Sequence, residues 1–77
     1  MERFTNEQEF AFSNKVDYIN VAVKTNGGSI QLAVWDGEAW IDDDVISTDG
    51  NHKVETKNSR IKFTPSGGAT YSIAIGD

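Results

Sequence analysis

Apolar and polar side chains alternate along most of this 77-residue chain, and turn-forming residues interrupt the alternation every ~8–12 residues. Ile19, Val21 and Val23 form one such series, and Ile61 and Phe63 belong to another. No window carries apolar residues at the i, i+3, i+4, i+7 spacing of an amphipathic helix. The pattern therefore predicts short β-strands with one buried face each, and it excludes a parallel sheet built from strand–helix–strand units.

The apolar composition supports the same fold class. The chain holds seven Ile, six Val, six Thr and eight aromatic residues, but one Leu and one Met. Branched and aromatic side chains suit a pleated sheet and lose rotamer freedom in a helix. We expect one domain over residues 1–77, an all-β, small antiparallel β-sandwich of the jelly-roll or Ig-like type with seven to eight short strands. Residues 1–7 form either an N-terminal arm or a short edge strand.

Turn residues divide the alternating segments. Asn26-Gly27 tolerates positive φ and predicts a hairpin between the strands on either side. Asp36-Gly37 predicts a second hairpin, and Asp42–Asp44 is expected to end a strand as a solvated turn, with a new strand at Val45-Ile46. The predicted core consists of Ile19, Val21, Val23, Ile30, Leu32, Val34, Ile61, Phe63, Tyr71, Ile73 and Ile75.

Charge and size exclude several classes of function. Seven basic residues against twelve acidic ones give a net charge of -5, whereas nucleic-acid binding needs a basic face. No apolar run is long enough for a transmembrane helix or a signal peptide, so we expect synthesis in the cytoplasm without export and no membrane partner. With no cysteine to form a disulfide and only a small core, the chain is expected to form a homo-oligomer.

Candidate catalytic and metal-binding residues are few. His52 is the only histidine, and no Cys or G-x-S-x-G elbow accompanies it, so we interpret it as a surface or interface residue. Asp42–Asp44 could offer oxygen ligands to Ca²⁺, but the three residues lack the D-x-D-x-D-G spacing of a calcium loop. The sequence therefore predicts no enzyme, no cofactor and no metal site.

Aromatic and small residues mark the candidate interface. Alternation places Trp35 on the face opposite Val34, whereas Trp40 is expected in the core. Aromatic side chains anchor protein interfaces and also stack on sugars. Phe4 is either a core plug or an anchor on a neighbour, and small side chains let another layer approach. The predicted interface residues are Phe4, Ala22, Ala33, Trp35 and Trp40.

Three segments suggest a family. They are 21–28 (VAVKTNGG), 34–40 (VWDGEAW) and 60–73 (RIKFTPSGGATYSI). Together they resemble small β-sandwich modules in structural proteins of tailed bacteriophages, such as head decoration, head fibre or tail accessory proteins. The resemblance implies a virion location and self-assembly, often as a trimer, and it carries no catalytic residues.

We therefore expect a non-enzymatic phage structural protein that self-assembles, with a trimer favoured, and docks on a capsid or tail protein of the virion. Two alternatives remain open from the sequence. One is a carbohydrate-binding module that uses Trp35, Trp40 and the acidic turn at Asp42–Asp44. The other is a protein that binds a host target by charge mimicry.

Overall fold

A computed structural model of the chain describes residues 3–12, 16–56 and 60–76. All regular structure in these ranges is β-strand. The strands are β1 (Gln8–Ala11), β2 (Tyr18–Lys24), β3 (Ser29–Trp35), β4 (Trp40–Ile46), β5 (Gly50–Glu55), β6 (Arg60–Ser66) and β7 (Thr70–Gly76). Alternation around Phe10 and Phe12 predicts a first strand near residues 8–13, and Ser13 lies outside the described residues.

The strands form two sheets with every pairing antiparallel. One sheet has four strands in the order β1-β6-β3-β4, and the other has three in the order β5-β2-β7. The buried side chains of both sheets form one common hydrophobic core. The predicted fold class, a small all-β antiparallel sandwich, is confirmed.

Strand order distinguishes the two expected sandwich types. An Ig-like sandwich pairs its first and second strands in one sheet. Here β1 pairs with β6, and β2 lies between β5 and β7 in the other sheet. Phe4 adds a bridge at the outer edge of β7, because its N–H and C=O exchange hydrogen bonds with Tyr71 at 2.6 and 3.1 Å. With this bridge taken as a shortened first strand, the order is that of a jelly roll.

The core largely follows the predicted alternation. Ile30, Phe63 and Tyr71 have no exposed surface at all. The other buried apolar residues are Ile19, Val21, Val23, Leu32, Ala33, Ile46, Ile61 and Ala69. Two of the predicted core residues, Val34 and Ile73, are half-buried. Ile75 was wrongly placed in the core, since it is 66% exposed near the end of β7.

The predicted hairpin between β2 and β3 is wrong. The turn at Asn26-Gly27 forms with φ values of 49° and 90°, but it carries the chain from one sheet to the other. A similar turn at Gly67-Gly68 joins β6 to β7 in the same manner. The two turns touch, because Asn26 Nδ2 donates to the Gly68 carbonyl at 3.1 Å. Paired inter-sheet turns thus close one end of the sandwich.

The acidic segment also differs from its prediction. Asp42–Asp44 lies inside β4, so residues 40–46 form one strand rather than two strands separated by a turn. The ladder with β3 pairs Gln31 with Val45 and Ala33 with Asp42, which leaves two β4 residues opposite Leu32. This is a β-bulge in an edge strand.

The N-terminal segment closes the side of the sandwich where β6 and β7 lie. Phe4 packs against Phe10 and Tyr71 at ring-centroid distances of 5.5 and 5.4 Å. Phe10 in turn meets Phe63 at 5.8 Å. Phe4 therefore packs against the core of its own chain, as the first of its two predicted roles requires.

Candidate functional site

The two tryptophans lie opposite each other across the β3–β4 hairpin. Trp35 and Trp40 are paired in the ladder, so both side chains project from the outer face of the four-stranded sheet. Their ring centroids are 5.4 Å apart and the planes meet at 61°, an edge-to-face contact. Both residues are half-buried. The hairpin thus holds a rigid aromatic pair on the surface of the sheet.

Asp36 fixes the turn that brings the tryptophans together. Its Oδ1 accepts hydrogen bonds from the N–H groups of Glu38 and Ala39, each at 2.8 Å. The Asp36 N–H donates to the Ala39 carbonyl at 3.1 Å. The Ala39 and Glu38 N–H groups lower the pKa of the Asp36 carboxyl, since they stabilise its charged form. The predicted hairpin at Asp36-Gly37 is confirmed, and the Asp36 carboxylate stabilises its turn.

Charged and small residues surround the tryptophan pair. Lys62 Nζ lies 4.7 Å from the centroid of the Trp40 ring, a cation–π contact. Ala33 pairs with Lys62 on one side and with Asp42 on the other, and only 2% of its surface is exposed. We call the surface formed by Ala33, Trp35, Trp40, Asp42 and Lys62 the tryptophan face. It combines aromatic contact area with one cation and one carboxylate.

The placement of Trp40 in the core was wrong. A two-stranded hairpin puts directly opposed residues on the same face, so Trp40 follows Trp35 outward. Sequence alternation does not show the register between β3 and β4. It therefore could not predict on which face of the sheet the Trp40 side chain lies.

The five predicted interface residues occupy three different places. Ala33, Trp35 and Trp40 share the tryptophan face. Ala22 lies on the outer face of the other sheet, paired with Ser72 and Asn51. Phe4 packs between the sheets.

The three aspartates of the acidic segment, Asp42–Asp44, also lie in different places. Asp42 faces outward beside Ala33, whereas Asp43 and Asp44 line an open groove between the edge strands β4 and β5. The tryptophans and the three aspartates therefore do not form a single site.

That groove was not predicted from the sequence. It has a volume of about 300 Å³, and its floor includes the buried Leu32. We call it the edge groove, and its lining residues are Leu32, Asp43, Asp44, Lys53, Val54 and Glu55. An adjoining groove of about 260 Å³ extends it past Thr48 and His52. β4 and β5 are joined by a short connection, but their placement in different sheets with open edges follows from the strand order, so no local sequence signal marks the groove.

Gln31 shapes the β4 wall of the edge groove. Its side-chain amide donates to the carbonyl oxygens of Leu32 at 2.8 Å and Asp43 at 2.9 Å, with a longer contact to Asp44 at 3.5 Å. A bulge interrupts the ladder and leaves main-chain groups without strand partners. The Gln31 amide supplies partners for carbonyls at this bulge, so the wall has a defined shape.

His52 has a structural contact. Its ring is half-buried on β5, and Nε2 lies 2.9 Å from the Thr48 carbonyl oxygen in the β4–β5 connection. Asp49 of the same connection accepts from the N–H and Oγ1 of Thr25 at 2.8 and 2.9 Å, and these bonds lower the pKa of its carboxyl. The connection is thereby tied to the end of β2.

Within residues 3–12, 16–56 and 60–76, no group of three or more His, Cys, Asp or Glu side chains is arranged to hold a metal ion. In the same ranges there is no helix long and apolar enough to cross a membrane. Comparison with known protein families, with curated proteins and with solved structures gave no significant match.

Proposed function

We propose that this chain is a non-enzymatic structural module of a tailed-bacteriophage virion. In this proposal, copies of the chain associate into a homo-oligomer, with a trimer favoured, and the oligomer docks on a capsid or tail protein. The tryptophan face is the surface of self-association.

One observation carries the self-association part of the proposal. Trp35 and Trp40 are in edge-to-face contact at the surface of a sheet, and both are only half-buried, so part of each ring remains available to a partner. Tryptophan is enriched among the residues that dominate interface energetics. A rigid aromatic pair loses little side-chain freedom on binding, so more of its contact energy appears as affinity.

The virion part of the proposal rests on the resemblance of segments 21–28, 34–40 and 60–73 to phage structural modules. The small all-β jelly-roll architecture of the described residues is compatible with it, since jelly rolls are common in capsid and lectin domains. The genes beside this one provide a direct test. Flanking capsid or tail genes would support the virion assignment, and flanking genes for sugar-degrading enzymes would contradict it.

Sedimentation of the purified chain tests self-association. We expect a concentration-dependent oligomer, most simply a trimer, at micromolar concentration. A chain that stays monomeric up to millimolar concentration would contradict the proposal.

A carbohydrate-binding function is the second candidate. It is favoured by the position of Asp42 on the same face as the two tryptophans, since sugar sites combine aromatic stacking with polar hydrogen-bonding groups. A glycan array separates the two candidates. Glycan binding that is lost on replacing Trp35, by a chain that does not self-associate, would favour the carbohydrate function.

A further inference from the structure

We propose that the edge groove between β4 and β5 binds an extended, basic segment of a partner protein, which adds a strand to the open side of the sandwich. This inference concerns a different surface from the tryptophan face and goes beyond the proposed self-association. If the virion assignment holds, the segment belongs to the lattice protein on which the chain docks.

The two long sides of the sandwich differ in whether a segment of the chain covers the gap between the sheets. On one side the N-terminal segment reaches across the gap, with Phe4 bridged to β7 and β1 paired with β6. On the other side the described residues offer no such cover. There β4 pairs with β3 alone and β5 with β2 alone, so each strand has an edge without a strand neighbour. Such edges accept an added strand through main-chain hydrogen bonds.

The edge groove has a small apolar patch within a mostly polar lining. Leu32 is 4% exposed, and Val54 is a half-buried residue packed against the core. Successive side chains of an incoming strand point to opposite faces, so alternate residues can reach this patch. The groove therefore fits a segment with apolar side chains at every second position.

The charge of the edge groove favours a basic segment as its occupant. Asp43, Asp44 and Glu55 line the edge groove together with one cation, Lys53, which leaves an excess of negative charge. The whole chain also carries a net charge of -5. Lysine or arginine at the positions between the apolar residues would complement this charge, and complementary charge raises association rates and disfavours other partners.

The same charges argue against a second copy of this chain as the occupant. Pairing β4 with another β4 would bring two sets of Asp42–Asp44 together, and like charges on adjacent strands repel. Charged side chains and a bulge are the features by which natural edge strands avoid such self-pairing. A basic segment of a different protein avoids that repulsion.

The walls of the edge groove are preorganised. The Gln31 amide holds the bulge at Asp43, and the Thr48 carbonyl holds His52 beside the adjoining groove. A wall that is already ordered reduces the entropy lost on binding.

The probe for this proposal is a capped hexapeptide that alternates lysine and valine. Titration into the isotopically labelled chain, followed by backbone amide shifts, should give saturable changes that are largest along β4 and β5. The double variant Asp43→Asn/Asp44→Asn should weaken binding about tenfold, or ~1.4 kcal/mol. The matched control Glu9→Gln/Glu38→Gln removes the same charge at exposed sites away from the edge groove and should bind as the wild type does.

Two further peptides distinguish strand addition from non-specific binding. A glutamate–valine hexapeptide and a lysine–valine hexapeptide N-methylated at alternate residues should both fail to bind. The proposal is overturned if the lysine–valine peptide does not bind at millimolar concentration. It is also overturned if the largest shifts lie on the tryptophan face, if the N-methylated peptide binds equally well, or if the control variant weakens binding as much as the double variant.

Discussion

Gly28 lies directly against the main chain of Ser66, where the two inter-sheet turns meet. A Cβ atom built on Gly28 would overlap the Ser66 carbonyl group and approach Gly67 as well. The crossing of β2 into β3 therefore depends on the absence of a side chain at this position. The close contact requires glycine at Gly28 and Gly67, whereas Gly27 and Gly68 have positive φ without a close neighbour.

Gly28→Ala should destabilise the chain by more than about 3 kcal/mol, since overpacking against movable side chains already costs ~1–3 kcal/mol and here the neighbour is backbone. Gly27→Ala is the matched control. Gly27 has open space around it and a φ of 90°, so alanine there meets only backbone strain of about 1–2 kcal/mol. Urea unfolding measures both variants. A smaller loss for Gly28→Ala than for Gly27→Ala would contradict the close packing of the turns.

Gln31→Met should cost about 1 kcal/mol of unfolding free energy and should speed amide hydrogen exchange in β4. Methionine has a similar length but cannot donate to the Leu32 and Asp43 carbonyls. Gln8→Met is the control, because the Gln8 amide donates to the exposed side chain of Asn6. Equal exchange rates in β4 for both variants would mean that Gln31 does not hold the bulge.

Tyr71 should titrate only in strongly alkaline solution. Burial, and next the charge of Glu7, raise the pKa of the Tyr71 hydroxyl from 10.0 to about 12, and the hydroxyl donates to the Asn6 carbonyl at 3.2 Å. Because the folded-state pKa is raised, the neutral hydroxyl contributes stability that is fully present below pH ~10 and is lost as the pH rises towards ~12.

The measurement is the difference between the alkaline phenolate titrations of the wild type and Tyr71→Phe, with circular dichroism reporting the fold. The difference should have its midpoint near pH ~12. A midpoint near pH ~10 in the folded chain would show that the Tyr71 hydroxyl is not desolvated.

Local sequence patterns predicted the positions of the strands better than the pairing between strands. Alternation placed Ile19, Val21 and Val23 on one buried face because side-chain direction in a strand has period two. The turn at Asn26-Gly27 also formed where predicted. A turn of that kind can join two neighbouring strands of one sheet or two strands in different sheets. Long-range packing determines which of the two forms. The β2–β3 hairpin was wrong for this reason.

The candidate site was predicted in part. Trp35 was placed on the outer face correctly, since it follows Val34 within one regular strand. Trp40 was misplaced because its direction depends on the register across the hairpin. Asp42–Asp44 was taken for a turn, whereas the bulge absorbs an extra residue and keeps β4 continuous through Ile46. The edge groove depends on strand order, which no segment of the sequence records by itself.

Sedimentation of the Trp35→Ala variant tests whether the tryptophan face drives self-association. We expect this variant to keep the circular dichroism spectrum of the wild type while its self-association weakens by ~2–4 kcal/mol, the range for an interface hot spot. Tyr18→Ala is the matched control, because Tyr18 is a half-buried aromatic on the outer face of the other sheet and has Lys53 Nζ 4.4 Å from its ring. It should assemble normally. A folded Trp35→Ala chain that assembles as the wild type does would show that the tryptophan face does not drive self-association.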